Sequence, residues 1–287
     1  LTRREAMKLD CNNVIKHYGK VKAVDGVTCS FSSGHIVGLF GRNGAGKSTL
    51  IKTIGNRIFQ DEGTITLDGE NLTSSSKLFK NIFISSEDNM FPSMSIKNIL
   101  TLMDDMEAGS KEKALQLCKE FHLNENKKWD KLSTGYRTIF KDILALSSYA
   151  KFVFFDEPIL GLDANHRELF YEKLLASFSP DRCFIIATHL IDEIEPLVDE
   201  VIIINNGKVI ESGDKEKMLE NLFLVSGTEE DVEKALKECK VISSSLRLGK
   251  KVVLVKGKIE YSDRLSITPV DLQKYFIELT KDNDYEN

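Results

Sequence analysis

The chain has 287 residues, 41% hydrophobic and 29% charged, a globular composition that excludes disorder or a fibrous repeat for its bulk. Its 39 Lys and Arg stand against 44 Asp and Glu, a net charge of −5, so no nucleic-acid partner, which asks for a basic excess, is expected. No run approaches the ~18 apolar residues needed to span a bilayer, and the five scattered cysteines, never at C-x-x-C spacing, argue against a disulfide framework or a zinc site and fit a reducing compartment.

No apolar stretch follows Arg3 and Arg4, so no secretory leader is expected; Met7 offers a natural start, and Leu1–Ala6 stays outside the fold argument. The first forty residues read as strands, with Thr28, Ser30 and Ser32 alternating with Cys29 and Phe31. His35–Phe40 is a short apolar strand that runs into the glycine-rich segment 41–49 (GRNGAGKST). Leu50, Ile51 and Ile54 then recur at helical spacing, and Gly63–Gly69 alternates as a strand between turns. Ser95–Asp104 and Lys111–Phe121 read as amphipathic helices that bury Ile96, Ile99 and Leu100, then Ala114, Leu115 and Cys118. Tyr136–Tyr149 is predicted helical, Phe152–Phe155 a buried strand and Asn165–Phe178 a helix. Cys183–Ala187 is a second buried strand and Ile191–Leu197 a short helix. Buried strands alternating with helices indicate a mostly parallel α/β sheet. Asn205–Lys208 is a hairpin turn between Val201–Ile204 and Val209–Glu211. Beyond about residue 222 a small α+β appendage is expected, with a helix Glu229–Cys239, strands near Val241–Leu248 and Lys251–Lys256, and a last helix Val270–Leu279.

Two segments carry chemistry. In Gly41-x4-Gly46-Lys47-Ser48, a P-loop, backbone amides curl around nucleotide phosphates and the glycines permit the tight turn. Lys47 brings positive charge to the β- and γ-phosphates, the Ser48 hydroxyl can ligate Mg²⁺, and the following helix points its positive end at the anion. Phe152–Phe155 then delivers Asp156 at its end, beside the metal position, and Glu157 next to the γ-phosphate, where a base can orient or deprotonate water.

The order of further segments makes the chain resemble the ABC ATPases. Leu132-Ser133-Thr134-Gly135-Tyr136 is similar to their LSGGQ signature, Gly161-Leu162-Asp163 to their D-loop and Thr188-His189 to their switch histidine. Tyr18, in HYGKVKAVDGV, matches the aromatic that stacks on adenine, and the likeness runs from about Lys8 to Met218. It implies a P-loop NTPase fold: a mostly parallel core sheet, an N-terminal antiparallel β subdomain, a helical subdomain at about 88–150, an ATPase domain over 7–221, and the appendage at 222–287. It also implies ATP and Mg²⁺ as ligands. Tyr18, Gly41, Asn43, Gly44, Ala45, Gly46, Lys47, Ser48 and Thr49 would hold the nucleotide, and Ser48, Glu87 and Asp156 the metal. Glu157, His189 and Lys47 would carry hydrolysis. In this family ATP is sandwiched between the P-loop of one protomer and the signature of another, so Ser133 and Gly135 would serve the partner's nucleotide.

Two departures stand out. Glu87, in ISSEDNMFP, aligns with the family's Q-loop glutamine, and Thr134 and Tyr136 stand where Gly and Gln are usual. One cassette without heptad coils disfavours the tandem ribosomal and the chromosomal members, and Asn126-Lys127-Lys128-Trp129 lacks the acid of a guanine motif. The resemblance then implies a transport motor, peripheral on the cytoplasmic face of the membrane through a separate permease, with Ser93–Leu102 near the groove for the permease's coupling helix. MFPSMSIKNIL and ITPVDLQKYFIELT resemble exporters of drugs and bacteriocin-type peptides. The alternative is a regulatory or sensory ATP-binding module of little turnover, against which Glu157 and His189 speak.

Overall fold

The computed structural model describes residues 6–236, 239–260 and 262–281. The chain divides into two compact units, Leu1–Leu190 with Pro196–Ser212, and Ile191–Glu195 with Gly213–Asn287. In chain order the elements of the first half are β1 (Lys8–Tyr18), β2 (Val21–Ser32), β3 (Ile36–Phe40), α1 (Lys47–Ile54), β4 (Glu62–Leu67), β5 (Glu70–Asn71) and β6 (Ile82–Ser85). There follow α2 (Ile96–Asp105), α3 (Lys111–Glu120), α4 (Thr134–Ser147), β7 (Phe152–Asp156), α5 (Ala164–Ser177) and β8 (Cys183–Thr188). Then come α6 (Ile191–Ile194), β9 (Glu200–Asn205), β10 (Lys208–Asp214), α7 (Lys215–Leu219) and β11 (Leu222–Gly227). The chain closes with α8 (Glu229–Ala235), β12 (Lys240–Arg247), β13 (Lys250–Lys256), β14 (Ser266–Pro269) and α9 (Leu272–Leu279).

Every residue of β3 and β8 is buried, as is β7 up to Asp156, because helices or the second sheet cover both faces of a parallel sheet. These strands lie in a sheet of order β10-β9-β3-β8-β7-β6. β3 is parallel to β8 and β9, and β7 is parallel to β8 and β6. The register sets Phe40 beside Thr188 and Asp156 beside Ala187, so the residues that follow β3, β7 and β8 leave one edge together. The chain enters at β3, jumps to the far edge at β6 and returns through β7 and β8, and the crevice outside such strand ends is where α/β sheets bind ligands.

A second sheet of order β2-β1-β4-β5 is antiparallel throughout. Leu9, Val14 and Phe31 from it share one core with Leu39, Leu50, Ile54, Phe154 and Ile185. Phe31 meets Phe154 edge-on at 5.5 Å between ring centroids, the favoured geometry for two aromatic quadrupoles. The helical part, α2 to α4, starts its helices on side-chain caps: Ser95 accepts from Asn98 N, Ser110 from Lys113 N and Ser133 from Tyr136 N. Along α3 the buried residues are Ala114, Leu117 and Cys118, with Leu115 only half-buried, so the stripe expected through Leu115 runs through Leu117. The reason is the helical repeat: positions 114, 117 and 118 share a face and 115 turns off it.

The second unit holds an antiparallel sheet of order β12-β13-β11-β14. Val225, Val253 and Val255 from one face pack with Val232 and Ala235 of α8 and with Leu265. The helix expected over Glu229–Cys239 ends at Ala235; Lys237 and Glu238 lie outside the described residues. The last helix begins at Leu272, since Asp271 caps it by accepting from Lys274 N. The strand β14 has no counterpart in the sequence reading, because SITP is too short and too exposed to show alternation. Among the described residues no helix is long and apolar enough to cross a membrane.

Candidate functional site

The segment after β3 turns straight into α1 without a capping side chain, so the helix opens directly onto the loop. Gly46 sits at φ 110°, and a Cβ there would lie 2.3 Å from the Ala23 carbonyl. Only glycine satisfies both the left-handed backbone and the close approach. Gly41 is held the same way by proximity, a Cβ falling 2.6 Å from the Ile204 carbonyl. Lys47 folds back over the loop: its buried ammonium donates to the Gly41 carbonyl at 2.6 Å and the Arg42 carbonyl at 3.4 Å. Burial pulls the Lys47 pKa down, while the charges of Glu157 and Asp156 oppose that shift.

At the end of β7 the two acids take different paths. Asp156 stays in the strand and accepts from Ser48 Oγ at 3.1 Å. Its pKa is pushed up, first by burial and then by the neighbouring Glu157 charge, with Ser48 and Lys47 pulling the other way. Glu157 adopts φ 53°, a left-handed conformation that costs a non-glycine residue and is held here by its N–H donating to the Ala187 carbonyl at 2.8 Å. That turn aims the carboxylate at the end of β8. Thr188 Oγ1 donates to Oε2 at 2.8 Å, His189 Nδ1 lies 3.0 Å from Oε1, and Lys47 Nζ lies 3.7 Å from Oε1. A carboxylate fixed by a hydroxyl, an imidazole and a nearby ammonium is orientated and has its negative charge matched.

A cavity of about 450 Å³ opens at this edge, lined by Tyr18, Ala23, residues 42–49, Lys52, Ser86, Glu87, Asp88, Asp156, Glu157 and Leu160. Of the residues expected from the sequence, Tyr18, Asn43, Gly44, Ala45, Gly46, Lys47, Ser48, Thr49, Glu87, Asp156 and Glu157 share this wall. Gly41 and His189 stand behind it, joined through Lys47 and Glu157. Ser133 and Gly135 do not line it: Ser133 caps α4, and a Cβ on Gly135 would lie 3.2 Å from the Gly161 carbonyl. Tyr18 is half-exposed on the wall, with the Lys16 ammonium 6.0 Å from its ring centroid.

Ser48 and Asp156 offer two hard oxygens next to the phosphate loop, a donor set that suits magnesium, which takes one or two protein oxygens and completes its shell with phosphates and water. Among the described residues no cluster of three or more His, Cys, Asp or Glu could hold a metal ion alone. Glu87 is exposed on the same wall and takes no part in the Ser48–Asp156 hydrogen bond.

The sequence reading missed several members of the wall and its supports. Lys52 pairs with Asp88 at 2.8 Å, and Arg57 donates to Ser86 Oγ at 2.6 Å and to the Ile84 carbonyl at 3.2 Å. Lys52 follows one helical turn after Ser48 and was legible on the same face. Arg57 lies beyond the helix end, and nothing local marks it.

Residues 24–160 match the family model described as ABC transporter. A Nod factor export ATP-binding protein I of Burkholderia orbicola (strain AU 1054) is 31% identical over 221 residues, covering 74% of this chain and 73% of that protein. The ABC transporter ATP-binding protein NatA of Bacillus subtilis (strain 168) is 28% identical over 222 residues, 74% of this chain and 90% of that one. An ATP-binding subunit of an ABC transporter shares the fold with a TM-score of 0.66 at 23% identity, covering 73% of this chain and 91% of the other. The dimeric bacterial ABC transporter cassette MJ0796 superposes with a TM-score of 0.62 at 22% identity over 72% of this chain and 98% of that one. With the phosphate loop, the paired acids and the fold in agreement, the chain belongs to the ATP-binding subunits of ABC transporters and is an ATPase of that family.

Proposed function

We propose that the chain is the motor of a bacterial exporter of drug or antimicrobial-peptide type, bound to the cytoplasmic face of the membrane through an integral-membrane permease. It works by ATP-driven head-to-tail pairing with a second cassette, of its own kind or another. The observation that carries the hydrolytic part is the Glu157 carboxylate, fixed by Thr188 and His189 on the wall of the phosphate-loop cavity. Tyr18 stacks on adenine, the loop from Gly41 to Thr49 wraps the phosphates, and Lys47 neutralises them. Ser48 and Asp156, with Glu87 as a further oxygen, would hold Mg²⁺, which when bound offsets phosphate charge. Glu157 orients water and accepts its proton. With Nδ1 engaged by Glu157, His189 keeps Nε2 for the γ-phosphate, and can donate there only as the imidazolium.

Pairing is supported by the position of Ser133 and Gly135 at the N-terminus of the fourteen-residue α4, off the wall of the chain's own cavity. A capped helix start whose first residues, Ser133 and Thr134, are exposed suits an anion brought by another chain. Export is supported by the relatives whose names state Nod factor export. The test is Glu157→Gln: ATP affinity stays, hydrolysis falls by ~10²–10⁴, and light scattering with Mg²⁺-free ATP shows a dimer. An unchanged rate reassigns the base, and a monomer throughout removes pairing between identical chains.

A further inference from the structure

Among the described residues the mechanism above leaves two buried acids unused, Glu278 in the second unit and Asp142. Asp142, in the middle of α4, is 2% exposed. Its Oδ1 accepts from Ser85 Oγ at 2.8 Å, while its Oδ2 is buried with no hydrogen-bond partner. Both ends of this contact lead to the reaction. α4 starts at the Ser133 cap of the signature segment, and Ser85 is the last residue of β6, directly before the wall residues Ser86, Glu87 and Asp88. On its other side the same loop is fastened from the phosphate-loop helix and its exit, by Lys52 to Asp88 and by Arg57 to Ser86.

We propose that Asp142 is a positioning residue for ATP hydrolysis, its carboxyl group clasping the signature helix to the loop that carries Glu87. The proposal rests on reading the cavity as the ATP site. A buried carboxyl with one oxygen unpaired favours its neutral form. Burial pushes Asp142 up to about 8, against the Ser85 hydrogen bond and the Lys141 charge, which pull it down. The clasp is therefore neutral at pH 7 and ionises just above it. Once ionised, the orphan oxygen carries charge in a dry core, and helix and loop must part for water to reach it. Several charged groups on the elements packed against α4 have partners of their own. From α3, the Lys113 ammonium donates to the Leu146 carbonyl, and from α5, Lys173 pairs with Glu120. From β7, Asp156 accepts from Ser48, and β6 brings only the Ser85 hydroxyl.

The experiment is the pH dependence of ATP turnover and of Trp129 fluorescence from pH 6 to 9.5, in the full chain and in Asp142→Asn and Asp142→Leu. Trp129 is buried 6.2 Å from the Phe140 ring of the same helix, so its emission needs no ATP to report on α4. The wild type is expected to lose kcat, with KM little changed, as pH passes about 8, and to show a fluorescence transition over the same range. Asp142→Asn, which keeps an acceptor for Ser85 and cannot ionise, loses both the alkaline fall and the transition. Asp142→Leu, which cannot bond Ser85, lowers kcat by ~10-fold at every pH, the cost of about one hydrogen bond. A wild-type alkaline limb retained in Asp142→Asn, or full kcat in Asp142→Leu, overturns the assignment. A wild type that binds no ATP overturns the reading of the cavity instead, which separates the two failures.

Discussion

The two edges of the parallel sheet are both rich in charge, yet one holds a reaction site and the other does not. At the edge where β3, β7 and β8 begin, Lys151 pairs with Asp181, and His35 Nδ1 lies 3.0 Å from Asp199 Oδ2. Backbone bonds run alongside: Ile36 N donates to Asp199 Oδ1 at 3.0 Å, and Phe184 N to the His35 carbonyl at 3.1 Å. Those groups are largely exposed, pair with one another, and tie strand starts together. At the opposite edge, Lys47 and Asp156 are desolvated, Glu157 sits in a left-handed turn, and all three line a cavity together with Lys52 and Asp88. Charge density does not distinguish the edges. Burial against an open cavity does, because only there does a fixed charge act on something that is not already part of the protein.

Substitutions should therefore separate the edges by what they change. Glu157→Gln should have the largest effect, a loss of ~10²–10⁴ in hydrolysis, read by phosphate release, with ATP affinity and unfolding midpoint near wild type. If folding stability falls instead, the Glu157 cluster is a structural brace like the pairs at the other edge. Lys47→Ala comes next, removing a charged donor worth about 1.5–3 kcal/mol per hydrogen bond. ATP affinity measured by calorimetry should drop by at least that much, and normal affinity would sink the phosphate-loop reading. Tyr18→Ala should weaken ATP by about 1–3 kcal/mol and leave pyrophosphate binding unchanged. Equal loss for both ligands means that Tyr18 supports the loop and does not stack on the base.

Much of the reaction edge is local in sequence and was readable there. The glycines at 41, 44 and 46, the Lys47-Ser48 pair and the run FVFFDE each fix their geometry within a few residues. The buried strands were equally clear, since β3, β7 and β8 need no alternation when both faces are covered. What was hidden depends on chain distance. Asp142 reads as an ordinary polar position on a helix until β6 places Ser85 against it, 57 residues away in sequence. Thr188 was noted only as the neighbour of His189, and its hydroxyl gains a role once β7 and β8 pair in register. The left-handed turn at Glu157 carries no sequence mark either, because no glycine or asparagine announces it.

The smallest effect belongs to the quiet edge and tests whether it is as peripheral as its exposure implies. Asp181 has its pKa drawn down to about 2, first by the Lys151 ammonium and then by the Ser179 hydroxyl at 2.6 Å. An acid depressed in the folded state stabilises the fold at neutral pH, and that contribution fades as pH falls below the ordinary 3.8 towards about 2. With the Asp181 side chain 64% exposed, solvent and salt screen most of it. Asp181→Asn should thus cost less than about 1 kcal/mol at pH 7, measured by urea unfolding, and the difference from wild type should shrink as the titration is repeated towards pH 3 or in high salt. ATP hydrolysis should not change, because the strand ends that hold Asp156 and Glu157 are set by sheet register and buried aromatic packing rather than by this pair. A loss of several kcal/mol, or a change in turnover, would show that the far edge holds the strands in place for the site and would erase the contrast between them.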